Sequence, residues 1–155
     1  MRNSKLPALA VLAILLASIL ILPGSFVQKP NLRQITLVVG SNDITTTGTK
    51  ACATSEVAGT IVDAHLISNA LPTGANLVVD VLKVAFTSYT GFASASSITA
   101  SAVPTIATSD SNPRYSDSTM TGWTTNIAAN DVVCVAVNTA PTGGATSAVL
   151  TLEVK

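Results

Sequence analysis

Charge is scarce in this chain and cancels: 10% of its 155 residues are charged, eight basic against eight acidic. Binding to nucleic acid needs a surplus of Lys and Arg to neutralise phosphates, and none is present, so no nucleic-acid partner is expected. Histidine occurs once, at His65, and cysteine twice, at Cys52 and Cys134, too few for a four-ligand zinc centre, so no metal is expected there. Asp110 and Asp117 flank a polar loop, but without EF-hand spacing the loop reads as solvated rather than calcium-binding. Serines are plentiful, yet none sits in a G-x-S-x-G elbow. His65 has Asp63 as a same-face neighbour two residues away along a strand, which reads as a surface pair because no nucleophile accompanies it. These absences argue against an enzyme and against any cofactor.

What is present is Ala, Ser, Thr and Val. Val and Thr are stiff at χ1 and suit a pleated, half-buried surface. One segment departs from that composition. Arg2 and Lys5 precede a charge-free run from Leu6 to Gln28 whose strongly apolar part ends at Leu22. As a helix, roughly 17 residues reach about 25 Å, between a signal-peptide core and a comfortable membrane span. Pro23, Gly24 and Ser25 would suit cleavage, whereas the lack of an A-x-A pattern and the continuation through Phe26 and Val27 would suit a retained anchor. No cysteine follows the run, which argues against a lipoprotein signal. Residues 1–28 are therefore expected to be a signal peptide or a single-pass anchor through Leu6 to Leu22, and residues 29–155 one exported domain.

From Pro30 onward short strands alternate with turn signals. Ile35, Leu37 and Val39 share one face of a strand that ends at Gly40-Ser41-Asn42-Asp43, followed by a polar linker or edge over Thr45 to Gly48. A modest strand is predicted over Lys50–Val57. A better one covers Gly59–Ile67, with Val62, Ala64 and Leu66 on one face and Ile61, Asp63 and His65 on the other. After a Pro72–Asn76 turn, Leu77–Phe86 is apolar on both faces, as is Asp131–Val137, and both read as central strands. Ser109–Ser118, marked by Asn112-Pro113, reads as a loop. The last strand puts Ala148, Leu150, Leu152 and Val154 on one face. With no internal repeat and no helical period outside the leader, the predicted fold is all-β: an antiparallel β-sandwich or jelly roll preceded by an N-terminal hydrophobic helix.

Two features within this frame remain open. A bridge between Cys52 and Cys134 would close a loop of roughly 80 residues and stabilise by about 4 kcal/mol in the chain-entropy model, and an exported domain would keep it. The alternative is two small buried residues that never meet. Asp80 lies between the apolar Val78 and Leu82, so it needs hydrogen-bond partners, backbone N–H groups of a neighbouring loop being one source; Lys83 points to the opposite face and is a poor partner.

VVDVLK (Val78 to Lys83), SITASAVPT (Ser97 to Thr105) and TMTGWTTNIAANDVV (Thr119 to Val133), followed by a closing alternating strand, occur in an order that resembles the small β-sandwich module of tailed-phage tail and adsorption virion proteins. The resemblance runs over roughly Gly59 to Lys155. It implies a sandwich fold, structural roles for Asp80 and for Trp123, and a virion setting, with no catalytic motif. The modules it resembles normally carry no leader.

The expected function is that of a non-enzymatic virion or cell-surface structural protein, displaying an exported sandwich that packs with other structural subunits. An alternative is adsorption to a host glycan or receptor through the aromatic loop FTSYTGF, where Phe86, Tyr89 and Phe92 would present contact area at a tip. The same rings could instead fold back and plug one end of the core.

Overall fold

The computed structural model describes residues 32–40 and 43–155. The signal peptide or anchor expected over residues 1–28, and the N-terminal helix expected there, lie outside the described residues. No helix among the described residues is long and apolar enough to cross a membrane.

Among the described residues, ten strands form two antiparallel sheets. They are β1 (Arg33–Val39), β2 (Gly48–Thr54), β3 (Gly59–Ser68), β4 (Leu77–Ala85), β5 (Ser96–Ser97), β6 (Thr105–Ile106), β7 (Arg114–Asp117), β8 (Asn126–Ile127), β9 (Asp131–Thr139) and β10 (Ala148–Val154). One sheet runs β1-β10-β3-β7, with β8 also on β3. The other runs β2-β9-β4-β5, with β6 also on β4. If β5 with β6, and β7 with β8, are each counted as one interrupted strand, the chain visits the two sheets in the order of a jelly roll.

Alternation explains which residues meet between the sheets. On β1, Ile35, Leu37 and Val39 are buried, and on β10 Ala148, Leu150, Leu152 and Val154 are. They face Leu77, Val79 and Val81 of β4 and Val133, Val135 and Val137 of β9 in one core cluster. Asp131–Val137 is buried throughout, as its two apolar faces predicted.

The structure corrects two strand assignments. The pairing of β10 with β3 slips between Glu153 and Val154, so that Glu153 opposes Asp63 while Val154 opposes Ile61. That bulge takes Val62 out of the alternation and turns Ile61 into the core beside Ala64 and Leu66, away from Asp63 and His65. The second correction lies in the polar Ser109–Ser118 stretch. Arg114–Asp117 is a strand there, held in register against Ala64–Ile67. The modest strand predicted over Lys50–Val57 is found at Gly48–Thr54.

Two segments, Thr99–Asp110 and Met120–Asp131, repeat one backbone design at a constant offset along the chain. In the first, the Ala102 N–H donates to the Thr99 carbonyl, and the Asp110 N–H donates to the Ala107 carbonyl. In return, Asp110 Oδ2 accepts the Ala107 N–H at 2.7 Å. In the second, Trp123 bonds to Met120 and Asp131 to Ala128 in the same way, and Asp131 Oδ2 accepts the Ala128 N–H at 2.8 Å. Each copy lays a two-residue strand on the start of a long one: β6 on Leu77 and Val78, β8 on Gly59 and Thr60. Each then adds one further bond, Val79 N–H to the Pro104 carbonyl and Ile61 N–H to the Thr125 carbonyl. Gly59 is required at its place, because a Cβ there would sit 2.6 Å from the Lys155 carbonyl oxygen that accepts the Thr60 N–H.

Candidate functional site

The aromatic loop leaves β4 at Ala85, opposite Asp131 at the start of β9. Two single 3₁₀ turns build it, Phe86–Ser88 and Phe92–Ser94, each opened by a phenylalanine. The Tyr89 N–H donates to the Phe86 carbonyl and the Ser94 N–H to the Gly91 carbonyl. Ser94 Oγ ties the second turn further, donating to the Gly91 carbonyl at 2.7 Å and accepting the Thr90 N–H at 3.2 Å. Gly91 has φ +132°, a backbone that favours glycine. The loop is therefore shaped by its own hydrogen bonds before anything binds it.

Phe86 is 61% and Phe92 49% exposed, so these rings do not plug the core. Tyr89, between them, is half-buried. Two rigid rings on a Ser/Thr-rich loop give contact area at small conformational cost, with adaptable hydroxyls around them.

Other residues close the sandwich. Trp123 is 9% exposed and its Nε1 donates to the Ala102 carbonyl at 3.1 Å. Lys83 reaches across from β4, its Nζ donating to the Asn126 carbonyl at 2.6 Å and lying 3.4 Å from Asp131 Oδ2. This links β4 and β9 of one sheet to β8 on the other. Asp80, on the opposite side of β4, accepts the hydroxyls of Ser97 and Thr99 on Oδ1. Its partners are thus side-chain hydroxyls of β5 and of the loop after it, where backbone donors were one expectation.

Cys52 and Cys134 stand directly opposite each other in the β2–β9 register and are joined in a disulfide, with Cα atoms 4.0 Å apart. Alternation along each strand could not reveal this, because register between strands far apart in sequence is a tertiary property.

Asp63 and His65 meet at 3.4 Å, Oδ1 to Nε2, on the outer face of the β1-β10-β3-β7 sheet. Ser116 lies across from His65 on β7. Among the described residues no group of His, Cys, Asp and Glu could hold a metal ion.

The two loop aspartates have structural partners. Asp110 caps its own turn through Ala107, and Asp117 Oδ1 accepts the N–H and Oγ1 of Thr119, both at 2.8 Å, and the Met120 N–H at 3.2 Å. The Thr119 hydroxyl, with help from the backbone N–H groups, holds the Asp117 carboxyl below the usual carboxylate value. Burial raises the titration of Tyr115 above that of an ordinary phenol, and the neighbouring Asp117 charge adds to it.

A cleft of about 440 Å³ lies elsewhere, between the edge strands β1 and β2. Arg33, Thr36, Ala53 and Glu56 are among its lining residues. None of the three aromatic loop residues reaches it.

No family model matches the sequence, and no curated protein matches it. Among solved structures, the chain is similar to one in the structure titled "Capsid of Ralstonia phage GP4", at 15% identity and a TM-score of 0.53, covering 81% of this chain and 85% of that one. At that identity the likeness is one of fold.

Proposed function

We propose that this chain is a non-enzymatic structural protein of a virion or cell-surface assembly, whose exported sandwich packs with neighbouring subunits. The observation that carries this reading is the shared fold with a phage capsid chain across most of both proteins. The architecture supports it: a core closed on one side by the repeated turns, a disulfide across β2 and β9, and a surface of little charge that costs little to desolvate against a neighbour. The disulfide also supports export, since such bonds persist in oxidising compartments. In this reading Leu6 to Leu22 directs the domain outward, as a cleaved signal or as a retained anchor. Mass spectrometry of particles purified from the host that carries this gene tests it. Stoichiometric peptides from residues 29–155 are expected in the particle, and their absence from both particle and envelope fractions would refute the reading.

The exposure of Phe86 and Phe92 favours a second reading, in which the same domain adsorbs to a host glycan or receptor. The full chain should then bind host cells or glycans, and Phe86→Ala with Phe92→Ala and Tyr89→Ala should abolish that binding while leaving stability nearly unchanged. Binding that survives all three substitutions would remove the loop from consideration.

A further inference from the structure

Every open sheet must end somewhere, and the unpaired N–H and C=O groups of an edge strand invite another chain. This sandwich has four edges among its described residues, and three of them are blunted. β5 and β6 border one sheet, β7 and β8 the other, and these strands are two to four residues long and separated by turns. β2 is longer, but its register slips between Thr49 and Ala51, with Lys50 at the slip.

β1 has none of these protections. It is seven residues long, pairs with β10 without a register shift, contains no proline, and carries no charge beyond Arg33 at its first position. Its outward residues include Val38, 60% exposed, whose cross-strand neighbours Val149 and Ile67 are exposed as well. A long, regular edge with no charge past its first residue, bordered by an apolar row, is a pairing surface.

We infer that β1 is the strand through which two copies of this chain pair, antiparallel, about a two-fold axis at Thr36; this rests on the subunit-packing function proposed above. The occupant follows from self-complementarity. Antiparallel pairing centred on Thr36 sets Ile35 against Leu37 of the second copy, Gln34 against Val38 and Arg33 against Val39. Inward residues then stay inward and outward residues outward, as the period of two requires. Thr36 meets Thr36, a favourable cross-strand pair. The two Arg33 side chains lie at opposite ends, separated by about 20 Å at the rise of a strand, so no like charges oppose. Centring on either adjacent peptide bond would pair inward with outward residues and is excluded. The result is one continuous sheet through both sandwiches, β3-β10-β1 running into its symmetry mate. Such a junction is an isologous contact.

Cysteine crosslinking of the full chain tests this, because Cys52 and Cys134 are already joined and a third cysteine reports alone. Thr36→Cys lies on the axis and should give a disulfide-linked dimer as the major product under mild oxidation. Gln34→Cys and Val38→Cys should each give little alone but crosslink to each other when mixed. Thr36→Lys, which sets two charges face to face at an exposed position, should shift sedimentation to the monomer while the Cys52–Cys134 disulfide and the thermal transition persist. No dimer from Thr36→Cys, or equal crosslinking at all three positions, overturns the inference. Particle content separates this from the function it rests on. A chain present in particles whose Thr36→Cys form does not crosslink there refutes the edge pairing alone. A chain that crosslinks at Thr36 but is absent from particles and envelope refutes the structural role while leaving the pairing intact.

Discussion

Trp123 and Ala102 occupy equivalent places in the two copies of the repeated turn, and the indole Nε1 of one donates to the carbonyl of the other at 3.1 Å. Because one copy lies on β4 and the other on β3, this single bond ties the two sheets at their closed side. Trp123→Phe keeps most of the ring and removes the donor, so it should cost about 1–2 kcal/mol, the value of one largely buried hydrogen bond plus some lost packing. Trp123→Ala should cost about 3–5 kcal/mol by opening a cavity. Urea midpoints at an unchanged m-value measure both, and a Trp123→Phe variant as stable as the parent would mean that the bond to Ala102 contributes nothing.

Lys83 and Asp131 make a second tie, and it is asymmetric. Asp131 is buried and also caps its turn through Ala128, whereas Lys83 is partly exposed. Asp131→Ala leaves the Ala128 N–H without its acceptor and the lysine with only the Asn126 carbonyl, and should cost about 2–4 kcal/mol. Lys83→Met should cost less, because its stem can still pack and Asp131 keeps the Ala128 donor. Denaturant unfolding of the two variants decides this; a greater loss for Lys83→Met would show that the carboxylate charge, not the turn, is what the pair sustains.

Strands whose own side chains encode the pattern were legible in the sequence: β1, β4, β9 and β10 follow from strict alternation or from two apolar faces. What alternation misses are features that depend on a partner. The face of Ile61 was misassigned because a bulge at Val62 resets the period, and a bulge is fixed by pairing with β10. Arg114–Asp117 carries no apolar rhythm and becomes a strand through the edge that β3 offers it. The repeated turn leaves almost no trace in the sequence, because the copies share little beyond an Ile-Ala-x-x-Asp run, Ile106 to Asp110 and Ile127 to Asp131. Their likeness lies in backbone hydrogen bonds. For the candidate site, the position of Phe86, Tyr89 and Phe92 in one loop was legible, but not whether the rings project or fold back, since that is decided by tertiary packing.

The Cys52–Cys134 bond crosses neighbouring strands but spans 82 residues of chain. Its effect is therefore mainly on the unfolded state, and reduction should lower stability by about 4 kcal/mol in the chain-entropy model. Unfolding with and without reductant measures it, alongside an intact mass lower by two hydrogens than the reduced chain. A double Cys52→Ser, Cys134→Ser variant that unfolds at the oxidised protein's midpoint would contradict the expectation.

Asp117 makes the acid response of the fold testable at one residue. Its carboxyl is held low chiefly by the Thr119 hydroxyl, so the native state favours the charged form more than the unfolded chain does. A depressed native value contributes stability that is fully present above the unfolded carboxylate value and is lost as pH falls through the native one. Thr119→Val removes the leading cause and should move the Asp117 carboxyl titration, followed by carbon NMR, to higher pH. Asp117→Asn should flatten the acid limb of stability against pH. The same substitution should bring the Tyr115 phenol part of the way down toward its ordinary value. Burial, the larger cause, would remain after the Asp117 charge is gone. An Asp117 titration unchanged in Thr119→Val would show that the hydroxyl does not hold the charge. A Tyr115 titration unmoved in Asp117→Asn would show that the two groups, though 3.5 Å apart, titrate independently.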